Sequence, residues 1–74
     1  MNRLPLLDGE RIVKALGKTG FQVLRQKGSH IYLKHPDGRA KVVPVHKGEP
    51  VGRGLLIKII KDADLGREEF LKLL

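Results

Sequence analysis

The sequence has no cysteine. Disulfide staples, thiolate zinc sites and cysteine nucleophiles are therefore excluded, and the absence fits a reducing cytoplasm. Long hydrophobic runs are missing too. The apolar stretch Leu4-Pro5-Leu6-Leu7, closed by Asp8, is far shorter than the core of a secretory signal. No uncharged stretch approaches the ~20 residues of a membrane span. The expectation is a cytoplasmic protein with no membrane role. Length is also scarce: the 74 residues make one domain, 1–74. A chain of this size buries only about 60% of the surface it exposes when unfolded. Its 41% apolar content allows a core but leaves no surplus to line a deep cavity. Any chemistry is expected on an open surface.

Acidic residues are sparse where the chain is most basic. From Arg11 to Lys61 there are twelve Lys/Arg and two acids, Asp37 and Glu49. The other six acids flank this stretch: Asp8 and Glu10 before it, Asp62, Asp64, Glu68 and Glu69 after it. The net charge of +7 points to a polyanionic partner. A merely solvated basic surface is the plainer reading. Nucleic acid is preferred because the basic residues fall on expected strands and not on a tail.

Local signals give the order of elements. Asp8 can cap a helix whose first turn holds Glu10. Ile12, Val13 and Leu16 form an apolar stripe of helical period, ended by Gly17 and Gly20. Phe21–Lys27 and His30–His35 are extended runs joined by Gly28-Ser29, the signature of a type II′ hairpin. Pro36-Asp37-Gly38-Arg39 is a second turn, read as type I′ through Asp-Gly, and leads into Ala40–Val45. Pro44 cannot donate to a ladder, so this strand lies at an edge or ends there. His46–Gly54 reads as a loop. Leu55, Leu56, Ile59, Ile60 and Ala63 repeat as a second helix. Gly66 breaks it, and Arg67–Leu74 is a short terminal helix with Phe70, Leu71 and Leu74 inward. The expected fold class is α+β: an α-β-β-β-α sandwich, a three-stranded antiparallel sheet with helices on one face and a short C-terminal helix.

Two-residue loops at both turns would set the register. Lys27 would oppose His30, Arg25 oppose Tyr32, and Val23 oppose Lys34. Across the second turn, Lys34 would oppose Lys41, Tyr32 oppose Val43, and His30 oppose Val45. Alternation then puts Arg25, Lys27, His30, Tyr32, Lys34 and Lys41 on one side, and Leu24, Ile31, Leu33 and Val42 on the other. The like charges of Lys34 and Lys41 would repel, and a bound phosphate would relieve them. Val43 and Val45 fit the open side less well. Either a bulge near Pro44 turns them inward or a protein partner covers them.

No metal site is expected, because alternation sends His30 and His35 to opposite faces and metal ligands must converge. Ser29 beside His30 is not a nucleophile–base pair, since neighbours in an extended chain diverge. A lone histidine does suffice for one reaction class. RNA carries its own nucleophile, the 2′-OH, so a general base need only take that proton while cations stabilise the phosphorane. His30, with an ordinary pKa near 6.5, could be that base, with Arg25, Lys27, Lys34 and Lys41 as cations. On the residues alone, a single histidine at a hairpin is more often just a polar surface residue. Tyr32 could stack a base or be a half-buried strand residue, the reading preferred here. His35 reads as a surface strand residue.

The segments Leu4-Pro5-Leu6, Asp8-Gly9-Glu10 with Ile12–Leu16, Gly20-Phe21 with Arg25-Gln26-Lys27-Gly28-Ser29-His30, His35–Arg39, Val43–His46 and Gly54-Leu55-Leu56 resemble, in this order, the HicA-type (YcfA-like) toxins. The resemblance extends to Ile59-Ile60, Ala63 and Glu68–Leu71. It implies a double-stranded-RNA-binding-domain-like fold and an mRNA interferase, an endoribonuclease of a toxin–antitoxin pair. It also implies that His30 is the catalytic residue, with mRNA as substrate and a HicB-type antitoxin as partner. No cofactor or metal is implied. Gly66 departs from the family, which often has a capping Ser or Thr there.

On this basis Arg25, Lys27, Gly28, Ser29, Lys34 and Lys41 are expected to bind RNA, with His46 and Lys47 as weaker candidates. The alternative is a non-catalytic RNA-binding module of the same fold, holding duplex by shape and phosphate contacts. A pure protein-interaction domain would leave the basic charge without a use.

Overall fold

Asp8 starts the first helix as its side chain predicts. In the computed structural model, which describes residues 4–46 and 48–74, the Asp8 carboxylate accepts the Arg11 N–H at 2.9 Å. The helix α1 spans Gly9–Gly17. Thr19 Oγ1 and the Phe21 N–H both bond the Leu16 carbonyl, and Gly20 takes a φ of +107° as the chain leaves. That left-handed geometry suits glycine because it has no Cβ.

Three antiparallel strands follow: β2 (Gln22–Lys27), β3 (His30–Lys34) and β4 (Ala40–Pro44), in the order β2-β3-β4. The second long helix, α2, spans Arg53–Asp62 and a short α3 spans Arg67–Lys72. At α3 the Gly66 N–H donates to the Glu69 carboxylate at 3.1 Å. Half of a capping box therefore survives without a Ser or Thr at the cap. The architecture is the expected α+β arrangement, helix, three-stranded sheet, then helices, in the double-stranded-RNA-binding-domain-like order.

One pairing lies in a stretch expected to be loop. Leu7–Asp8 (β1) pairs antiparallel with Pro50–Val51 (β5), with Leu7 opposite Val51. Both of those side chains are buried, so the long connection is pinned by its own apolar residues. The core is completed by Ile12 and Leu16 of α1, Leu33 and Val43 of the sheet, Leu56 and Ile59 of α2, and Phe70 of α3, all essentially inaccessible. Burial of each such side chain is worth about 1.5–3 kcal/mol.

The first hairpin has the expected turn. Gly28 has φ +59° and Ser29 has no positive φ, as type II′ requires. Lys27 opposes His30 and Arg25 opposes Tyr32. A bulge at Leu24 then shifts the pairing, so Val23 opposes Leu33 in place of Lys34.

The second hairpin corrects the expected register. Its loop is Pro36-Asp37-Gly38: the Gly38 N–H bonds the His35 carbonyl at 2.9 Å and the His35 N–H bonds the Arg39 carbonyl at 2.8 Å. Pro36 occupies the first central position of a type I turn and Gly38, at φ +101°, the left-handed position after it. This three-residue loop moves β4 by one position. Lys34 opposes Ala40, Leu33 opposes Lys41, Tyr32 opposes Val42, Ile31 opposes Val43 and His30 opposes Pro44. A one-residue slip turns every side chain over. Val43 is therefore buried and Val45 packs partly against the core, without a bulge at Pro44 or a covering partner, while Val42 is exposed.

Gly9 is required by packing. A Cβ there would collide with the Pro44 carbonyl oxygen and lie 2.9 Å from Val45 Cγ2. The first turn of α1 thus sits directly on the end of β4.

Candidate nucleic-acid interface

The hairpin turn that carries His30 is braced from two sides. The Gln26 side-chain amide donates to the Gly28 carbonyl at 3.1 Å, and the Val45 N–H donates to the Ser29 carbonyl at 2.6 Å. Gly28 and Ser29 thereby fix where β3 begins. His30 is its first residue, exposed, between Lys27 on one neighbouring strand and Pro44 on the other. One pair further along, Arg25 lies across from Tyr32, its guanidinium carbon 4.9 Å from the ring centroid. Tyr32 is half-buried, as the strand reading expected. Lys34, opposite Gln22 and Ala40, follows on the same face. Among the described residues no carboxylate forms an ion pair with Arg25, Lys27 or Lys34. An imidazole and three uncompensated cations thus share one solvent-facing side of the sheet, a suitable surface for phosphate groups.

Lys41 is not part of it. The shifted register puts Lys41 opposite buried Leu33, on the helix side, where its ammonium lies 2.5 Å from Asp62 Oδ2 and its side chain is 15% exposed. The repulsion expected between Lys34 and Lys41 does not arise. His46 is exposed but lines a cleft of about 230 Å³ with Asp8, Glu10 and Val45, beside acids and not beside the strand cations. Lys47 lies outside the described residues. Among the described residues no group of three or more His, Asp and Glu converges in a way that could hold a metal ion.

The profile described as the HicA toxin of bacterial toxin–antitoxin systems matches residues 9–65, from the start of α1 past the end of α2. The chain belongs to the HicA toxin family. It is thus a toxin of a toxin–antitoxin pair, which implies an antitoxin partner. No curated protein matches it significantly. Among the toxin's described residues no helix is long and apolar enough to cross a membrane.

The toxin's second histidine is a structural one. His35 Nε2 bonds the Thr19 carbonyl at 3.0 Å and its Nδ1 accepts the Asp37 N–H at 3.1 Å. The same Nδ1 lies 3.0 Å from Asp37 Oδ1. The ring meets Phe21 edge-on at 5.2 Å between centroids. His35 therefore ties the second turn to the end of α1, and the surface position expected for it is corrected. Arg39 completes this corner: its Nε donates to Asp37 Oδ2 at 2.8 Å, its Nη1 to the Ala63 carbonyl, and its guanidinium lies 5.2 Å from the Phe21 centroid. Sequence reading had no signal for these links, because Thr19, Phe21 and Ala63 are distant in the chain.

Two carboxyls titrate below the ordinary value of 3.8. Asp37 is held down first by the Arg39 backbone N–H and then by the Arg39 side chain. Asp62 is held down first by its hydrogen bond from Lys41, then by the charges of Lys41, Lys58 and Lys61.

Proposed function

We propose that the toxin is an endoribonuclease, an mRNA interferase that cuts by 2′-OH transesterification with His30 as general base and needs no metal. The observation that carries this reading is the exposed imidazole of His30 directly across from Lys27, with Arg25 and Lys34 free of carboxylates on the same face. His30 takes the proton of the 2′-OH as that oxygen attacks the adjacent phosphorus. The bond from phosphorus to the 5′-oxygen breaks, and the leaving oxygen recovers a proton from the imidazolium. The products are a 2′,3′-cyclic phosphate and a 5′-hydroxyl end. Lys27 stands nearest in register to the base and would offset charge on the phosphorane. Arg25 and Lys34 would hold neighbouring phosphates, with Gly28 and Ser29 shaping the approach. The substrate carries its own nucleophile, so DNA would bind this face without being cut.

In this reading the toxin is neutralised by a HicB-type antitoxin. The test is cleavage of RNA by purified toxin in EDTA, with His30→Ala beside it. Loss of a general base typically lowers rate about 10²–10⁴-fold. The expected result is that loss with RNA affinity retained, and cyclic-phosphate ends on the wild-type products. Equal cleavage by both proteins would remove His30 from the chemistry. Binding without cleavage by either would make the toxin an RNA-binding module.

A further inference from the structure

Pro44 stands directly across from His30 at the end of β4. The Val45 N–H donates to the Ser29 carbonyl at 2.6 Å, so the neighbouring position, Val45 against Ser29, is a hydrogen-bonded pair. Bonded and non-bonded pairs alternate along an antiparallel ladder. His30 and Pro44 are therefore a non-bonded pair, and the ladder asks no N–H of residue 44. A proline fits there without loss. Non-bonded partners also bring their side chains closest, with Cα atoms about 4.5 Å apart against about 5.5 Å in a bonded pair. Val43 and Val45 pack inward on either side of Pro44, which leaves the proline ring on the open face with the imidazole. The main chain under that ring is fixed by α1, because the Gly9 α-carbon leaves no room for even a methyl group beside the Pro44 carbonyl. The other cross-strand neighbour of His30 is Lys27, a side chain with much rotamer freedom that cannot confine a ring.

We propose that Pro44 is a positioning residue: its ring is a fixed wall that keeps the His30 imidazole turned toward Lys27. The inference rests on the reading of His30 as general base and adds how that base is aimed. An exposed histidine divides its time among staggered χ1 rotamers. A general base works only from the orientation within hydrogen-bond reach of the proton it takes. Proline has no rotamers of its own and a locked φ, so a wall made of it does not yield when the imidazole presses on it. The orientation of His30 is thereby tied, through Pro44 and Gly9, to the first turn of α1 on the far side of β4.

The experiment compares the wild type with Pro44→Ala and Pro44→Val. Both variants regain the backbone N–H, so they differ from each other only in the wall, and valine is stiff at χ1. Three-bond NMR couplings about His30 χ1 are measured in the RNA-free toxin. One rotamer is expected in the wild type and in Pro44→Val, and rotamer averaging in Pro44→Ala. In RNA cleavage, Pro44→Ala should lose about tenfold in kcat, within the ~10²-fold that a misplacement of about 1 Å can cost. Its KM should stay within about twofold, since the loss falls on the transition state alone. Pro44→Val should recover to within about threefold of wild type. Averaged couplings in the wild type, or a single rotamer in Pro44→Ala, overturn the proposal. An equal loss of kcat in Ala and Val overturns it too, by assigning the effect to the backbone. If Pro44→Ala does not fold, the wild-type couplings and the nuclear Overhauser contacts between the His30 and Pro44 rings decide: one rotamer with contacts supports the wall, and averaging or no contacts overturns it. The couplings read out whether or not the toxin cuts RNA, so failure of the nuclease reading would be recognised separately.

Discussion

The Arg25 guanidinium lies over the ring of its cross-strand partner Tyr32, 4.9 Å from the centroid. Arginine side chains carry much rotamer freedom, and the ring limits it at the pair next to Lys27 and His30. An exposed cation–π contact is worth about 0.5–1 kcal/mol. In the His30→Ala background, Tyr32→Ala should therefore weaken RNA binding about two- to fivefold. Tyr32→Phe should remain close to the parent. Titration of a short labelled RNA measures both, and an equal loss with Phe would assign the effect to the hydroxyl.

Lys34 and Lys41 should behave differently despite being expected as neighbours. Lys34 is exposed on the open face, and Lys41 is bound to Asp62 on the helix side. Replacing a phosphate-binding Lys by Ala should reduce the slope of log affinity against log salt by about 1. That reduction is expected for Lys34→Ala and not for Lys41→Ala. Salt titrations of the two variants are the check.

Gly9→Ala should destabilise the fold by about 1–3 kcal/mol, the usual cost of overpacking. The added methyl meets the Pro44 carbonyl, backbone that cannot swing aside. Urea denaturation should show a lower midpoint with an unchanged m-value.

The two strand histidines should separate by assay. His30→Ala removes an exposed side chain and should leave stability within about 0.5 kcal/mol. His35→Ala removes two hydrogen bonds and an edge contact to Phe21, on the order of 2–3 kcal/mol together. Thermal melts of both variants, paired with cleavage assays, should show one losing activity and the other stability.

Acid should weaken the fold through Asp37 and Asp62. Both carboxyls titrate below 3.8 when folded. Their contribution is therefore complete above that pH and is lost as pH falls through the lower folded values. Asp62→Asn should flatten the decline in stability below pH 3.8, relative to wild type, in acid denaturation followed by circular dichroism. An unchanged acid profile would mean that the Lys41 contact does not hold Asp62 in solution.

Much of the fold was legible because its signals are local. Asp8 caps the helix it precedes, Gly28 supplies the one positive φ its turn needs, and Phe70 falls on the inner side of a short helix. The pairing of Arg25 with Tyr32 and of Lys27 with His30 followed from that turn. The second turn was harder, since Pro36-Asp37-Gly38 contains an Asp-Gly pair that suits a two-residue loop. Pro36 at the first central position and Gly38 in the left-handed one give a three-residue loop instead. That single residue moved Lys41 off the open face and Val43 into the core.

By itself, the sequence determined the helices, the three strands of the main sheet, the first hairpin and the concentration of positive charge, because caps, turns and periodicity act between near neighbours. Only the tertiary structure decided which side of β4 is buried, that His35 and Arg39 bind the second turn to distant backbone, and that Leu24 remains uncovered. Those outcomes depend on where α1 and α2 come to rest against the sheet. Helix packing weighs whole faces against one another, so a slip of one position that costs little in the loop was settled by whether Val42 or Val43 met the core.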